Sequence, residues 1–104
     1  MHLLGVLQVT LLDVVLAWFK STKVLLDSAG VTATHTQGDS SSPKPSCSLN
    51  LRHANREADL VLWTSGEAEL GIMGADGAVI QEHVEILSVE TLGVVLERMV
   101  RAVL

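Results

Sequence analysis

The chain has 104 residues, of which 48% are apolar, with two prolines, one cysteine and a formal net charge of −5. That length suits one α+β domain spanning 1–104 with a modest core, and a lone Cys47 excludes an internal disulfide, which fits a reducing, cytoplasmic setting. Residues 1–57 hold five Lys/Arg and four Asp/Glu, whereas 58–104 hold two Arg and eight Asp/Glu. Between Asp59 and Glu90 there are seven carboxylates and no Lys or Arg. Such a segment repels phosphate backbones, so nucleic-acid binding is not expected, and it attracts basic protein surfaces. A merely solubilising face is the plain alternative.

The opening run, MHLLGVLQVTLLDVVLAWFK, is apolar enough to raise export or membrane insertion. No Lys or Arg precedes the run, and no small-residue cleavage site follows it, so a signal peptide is not expected. Asp13 interrupts it and Lys20 ends it short of the span of about 20 apolar residues a bilayer needs. No membrane association is expected. Residues 1–10 read as an arm or short strand ahead of a largely buried helix.

From Leu11 to Ala29 the periodicity is helical: Leu11, Val15, Trp18, Thr22, Leu25, Leu26 and Ala29 share one side. Asp13, Lys20, Lys23 and Asp27 form a narrow opposite stripe, so the helix should be extensively covered. Gly30 is suited to stop it. Residues 31–37 alternate with β-branched Val and Thr and read as a strand. The polar, proline-bounded stretch 38–46 reads as a mobile loop. Cys47, Leu49 and Leu51 then alternate with Ser48, Asn50 and Arg52 in a second strand, and 54–57 reads as a charged turn.

The runs 59–64 and 67–73 are joined at Ser65-Gly66, a hairpin signal. Asp76-Gly77 turns the chain into a fifth strand over 78–86. Ser88 suits an N-cap with Glu90 in the first turn of a closing helix. That helix should bury Val89, Leu92, Val95, Leu96, Met99 and Val103, and Gly93 weakens it by about 1 kcal/mol relative to Ala. The fold class is α+β: a two-layer sandwich with an antiparallel meander of four to five strands and both helices on one face.

Chemistry-bearing patterns are weak. His35, His53 and His83 fall on separate strands without metal-ligand spacing, and ordinary strand polarity explains them better. Ser41-Ser-Pro-Lys44 matches S-x-x-K, but Pro43 and Pro45 bracket the lysine in a loop where no helix can bring it to the serine. Cys47 has no activating neighbour, and the glycines at 71, 74 and 77 lie between strands instead of opening a helix. No catalytic residue, metal or cofactor is expected. Glu67 and Glu69 share a strand face, as solvated acids beside a turn commonly do.

One feature resists such accounts. Leu60, Val61, Leu62 and Trp63 are all apolar, so both faces of that strand are hydrophobic. One face must cover the helices; the other presents two large apolar residues beside Glu67 and Glu69. A two-residue loop exposes one pair, and a bulged three-residue loop the other, so Val61/Trp63 and Leu60/Leu62 both remain open. An apolar centre with an acidic rim suits a protein contact, unless the stretch Leu3–Val9 folds over it.

The run Leu-Val-Leu-Trp-Thr-Ser-Gly-Glu-Ala-Glu-Leu at 60–70, with Gln-Glu-His-Val-Glu at 81–85 and Ser-Val-Glu-Thr-Leu at 88–92, resembles the TriTu-type immunity proteins. Those are small bacterial proteins that neutralise toxins of polymorphic toxin systems. The leading helix with Trp18-Phe19 is similar too, and the likeness spans most of 11–104, apart from the Ser/Pro loop. It implies binding without turnover: an acidic face docking on a basic toxin domain, with Trp63 as anchor and Glu67 and Glu69 as steering charges. Val61 and Leu62 complete the expected partner-binding set. A homodimeric adaptor or secretion-chaperone-like protein using the same face is the first alternative. A small enzyme built on His35, His53 and His83 is the second.

Overall fold

The architecture was described from a computed structural model covering residues 9–38 and 43–104. A helix α1 (Leu11–Ser28) leads into five strands: β1 (Thr32–Gln37), β2 (Ser46–His53), β3 (Arg56–Trp63), β4 (Glu67–Met73) and β5 (Val79–Glu85). Helix α2 (Val89–Val103) closes the chain. The strands pair antiparallel in sequence order, β1-β2-β3-β4-β5, so the sheet is a pure meander with β1 and β5 at its edges. Both helices lie on one face, α1 over β1 and β2, α2 over β2, β3 and β4. Among the described residues, no helix is long and apolar enough to cross a membrane.

Local chemistry sets the ends of these elements. Thr10 and Asp13 form a reciprocal capping box: the Asp13 amide donates to the Thr10 hydroxyl, while the Thr10 amide donates to the Asp13 carboxylate at 2.9 Å. The charge that breaks the apolar run therefore starts a helix. At the other end Gly30, with φ of 85°, occupies the left-handed conformation. The Val31 amide then reaches the Leu26 carbonyl and the Gly30 amide that of Asp27, closing a Schellman motif over two buried side chains. Ser88 caps α2 by accepting from the Thr91 amide. Its C-terminal end is tied to the β2–β3 hairpin: His53 Nδ1 lies 2.7 Å from the Val103 carbonyl and Arg56 donates to that of Leu104.

The core forms where the inward residues of the alternating strands meet the helices. Cys47, Leu49 and Leu51 of β2, Ala58, Leu60 and Leu62 of β3, and Ala68 and Leu70 of β4 are buried beneath Leu92, Leu96 and Met99 of α2 and Leu12, Val15 and Leu26 of α1. Burial of the Cys47 thiol raises its pKa to about 11, far from a reactive thiolate.

Three expectations are corrected. The helix α1 is covered along one stripe only: Leu25, assigned to the covered side, is 71% exposed, and Val24 is exposed beside it. Val89 is also exposed, standing at the first position of α2, ahead of Leu92 where the buried stripe of the helix begins. The charged turn shrinks to Ala54-Asn55, since His53 pairs with Arg56 and β3 begins there. The turn takes Ala54 into the left-handed region at φ of 55°. The arm at 1–8 and Ser41-Ser42 of the S-x-x-K loop lie outside the described residues, as does the rest of 39–42.

Candidate functional site

The register of the β3–β4 hairpin decides which apolar pair faces out. Leu60 pairs with Leu70 and Leu62 with Ala68, leaving a three-residue loop, Thr64-Ser65-Gly66. Gly66 has φ of 95°, its amide bonds back to the Trp63 carbonyl, and its carbonyl accepts from the Ile86 amide at 2.7 Å. This is the bulged alternative. Leu60 and Leu62 point into the core, with Leu62 0% exposed, so Leu62 is not on the open face. Val61 and Trp63 point the other way, and both are half-buried.

The outward residues assemble in rows across the sheet. Thr36, Ser48, Val61, Glu69 and His83 form one, and Thr34, Asn50, Asp59, Gly71 and Gln81 the next. Beyond it come Thr32, Arg52, Glu57, Met73 and Val79. On the far side of Val61, Trp63 stands beside Glu67 and Glu85. Neither helix reaches this face. It carries Glu57, Asp59, Glu67, Glu69 and Glu85 against Arg52 and, from the loop before β2, Lys44.

The carboxylates are not a uniform field. Lys44 pairs with Glu67 and places its ammonium 5.3 Å from the centre of the Trp63 ring, a cation–π distance. This contact, first through its hydrogen bond and then through its charge, holds the Glu67 carboxyl below the usual range. Glu67 stands opposite Glu85 across the β4–β5 ladder, a like-charge pairing that costs stability in isolation. His83 relieves it from the other side, with Nδ1 2.9 Å from Glu69 and Nε2 3.4 Å from Glu85. Hydrogen bonds to Glu69 and then to Glu85 raise the His83 pKa. The strip is thus smaller and better compensated than a bare apolar patch with an acidic rim. Most of the strongly exposed large apolar side chains, including Val24, Leu25, Leu87 and Val94, lie off this face.

The histidines do not converge. His35 packs on Phe19 with ring centroids 5.6 Å apart on the helix side of β1, and burial, then Lys20, lowers its pKa. His53 binds the end of α2, and His83 lies on the opposite face from His35. Among the described residues, no three His, Cys, Asp or Glu side chains group at metal-ligand range.

What sequence reasoning missed on this face is the row built on Asn50, Asp59, Gly71 and Gln81. Its residues are individually unremarkable polar strand positions, and only the cross-strand register brings them together.

Comparison with protein families matches the chain to the family described as Immunity protein TriTu, over residues 13–102 of the 104. The matched span runs through the Ser/Pro loop, which the sequence resemblance did not cover. Searches of curated proteins and of solved structures give no match.

Proposed function

Because the chain belongs to the TriTu family of immunity proteins, we propose that it neutralises a toxin by binding it through the outer sheet face, with Trp63 and Val61 as apolar anchors inside a ring of carboxylates. The family carries the toxin-neutralising role, and immunity proteins of this family are generally non-catalytic. The choice of face rests on one observation: both helices pack on the other side, leaving this one with five carboxylates against two cations. A basic toxin domain would be drawn to that field, so complementary charge speeds the encounter and a buried indole slows release. Cytoplasmic residence belongs to the same proposal, and an unpaired, buried Cys47 supports it.

A homodimer through the same face is the weaker reading. An isologous contact would set this acidic ring against its own copy, where like charges repel.

The test is binding of the purified chain to the toxin domain encoded beside its gene, with toxin activity read in parallel. Trp63→Ala is expected to weaken binding by about tenfold or more through loss of an anchor. Glu69→Gln is expected to slow association and flatten its salt dependence while leaving dissociation nearly unchanged. Undiminished binding by both variants would overturn the choice of face. A stable dimer that hides Trp63 and no toxin binding would instead favour self-association.

A further inference from the structure

Resting on the outer-face reading, we infer that a depression of about 300 Å³ over Gly71 receives an arginine side chain of the docked partner. Gly71 lies in the interior of β4, between Asp59 on one neighbouring strand and Gln81 on the other. Its backbone does not require glycine, because its φ is not in the left-handed region where Gly30, Gly66 and Gly77 sit. A Cβ there would meet only the flexible Gln81 amide, at 3.2 Å. A strand-interior glycine weakens a sheet and commonly marks a place where something approaches the backbone closely. Here its missing side chain makes the floor of the depression.

The walls fit one chemistry. The Asn50 amide donates to Glu57 at 2.6 Å and lies 3.5 Å from Asp59, so both carboxylates converge on the same rim. Among the described residues Asp59 forms no ion pair, and the nearest cation to Glu57 is the mostly exposed Arg52 guanidinium at 3.9 Å. The Asn50 and Gln81 side chains complete the polar lining. Met73, next to Glu57 in its row, and Val79 beyond it add apolar surface to the lining. Two carboxylates on adjacent rows match the planar, five-donor guanidinium better than a point ammonium, and the Met73–Val79 side can cover the aliphatic stem.

Nuclear magnetic resonance titration of the isotope-labelled chain with acetyl-Gly-Arg-Gly-amide tests this, with the isosteric citrulline peptide as the uncharged control. Saturable amide shifts centred on Asp59, Gly71 and Gln81 are expected, at least about tenfold weaker for citrulline because charge-assisted bonds are lost. Gly71→Val fills the floor with a strand-favouring residue and should abolish the shifts while keeping the fold. Asp59→Asn should weaken them without altering the cavity. Equal shifts with both peptides, shifts centred on Glu67 and Glu69, or shifts that survive both substitutions would overturn the inference. If the Arg peptide fails but Trp63→Ala still disrupts toxin binding, the pocket falls and the docking face stands. If the peptide binds but outer-face substitutions leave toxin binding intact, the docking face falls and the pocket stands.

Discussion

Gly66 answers two demands at once. Its φ of 95° suits glycine, and a Cβ at this position would lie 2.6 Å from the Ile86 carbonyl oxygen. Gly66→Ala is therefore expected to destabilise the fold by about 2 kcal/mol or more, from backbone strain plus a contact that only backbone movement relieves. Chemical denaturation of the variant checks it; a loss within about 0.5 kcal/mol would mean that the loop takes another conformation. His83 is the other residue whose setting has a measurable signature. Protonated, it donates to Glu69 and Glu85, so its pKa is raised in the folded state. Its contribution to stability is fully present below the unfolded value of about 6.5 and is lost as pH rises through the folded value. A histidine titration should place His83 above 6.5, and Glu69→Gln should move it down. The same protonation makes the outer face less negative, so affinity for a basic partner should fall as pH drops through the His83 transition. His83→Gln should remove that dependence.

At the scale of elements, β3 divides labour by alternation, and the two faces predict opposite phenotypes for adjacent residues. Leu62→Ala empties a fully buried site under α2 and is expected to cost about 2–5 kcal/mol of stability with little effect on intrinsic affinity once folded. Val61→Ala, half-exposed on the other face, should cost far less stability and act on binding instead. Thermal unfolding and binding measured on the same two variants separate these outcomes, and reversed results would mean that the hairpin register is shifted by one residue. The alternation of β2 and β4 was legible in the residues, as were the Ser88 cap and the Gly30 stop. The β3–β4 register was not, because Thr64-Ser65-Gly66 is compatible with either loop length and a four-residue apolar run has no preferred side. The early start of β3 was hidden as well, since Arg56-Glu57 look like turn residues and Ala54 gives no hint of a left-handed φ. Helix α1 looked apolar around most of its circumference, but one sheet face can cover only one stripe of it, so Val24 and Leu25 remain outside.

Across the whole molecule, a meander with both helices on one side leaves the other side of the sheet without a helix over it. The acidity of the second half of the chain was readable as a run of carboxylates. Its placement was not: Glu82 sits on the helix side, bound by Arg98 at 2.7 and 2.8 Å, while Glu57 and Asp59 from β3 join Glu67, Glu69 and Glu85 outside. The depression over Gly71 likewise exists only once three strands are in register. Amide hydrogen exchange of the chain alone and saturated with its toxin domain reads the docking surface directly, including segments 1–8 and 39–42. Slowed exchange concentrated in the Thr64–Gly66 loop, β5 and the outward-facing rows from Trp63 to Asp59, with α1 and α2 unchanged, is the result this account predicts. Slowed exchange confined to α1 or α2, with β3–β5 unaltered, would contradict it.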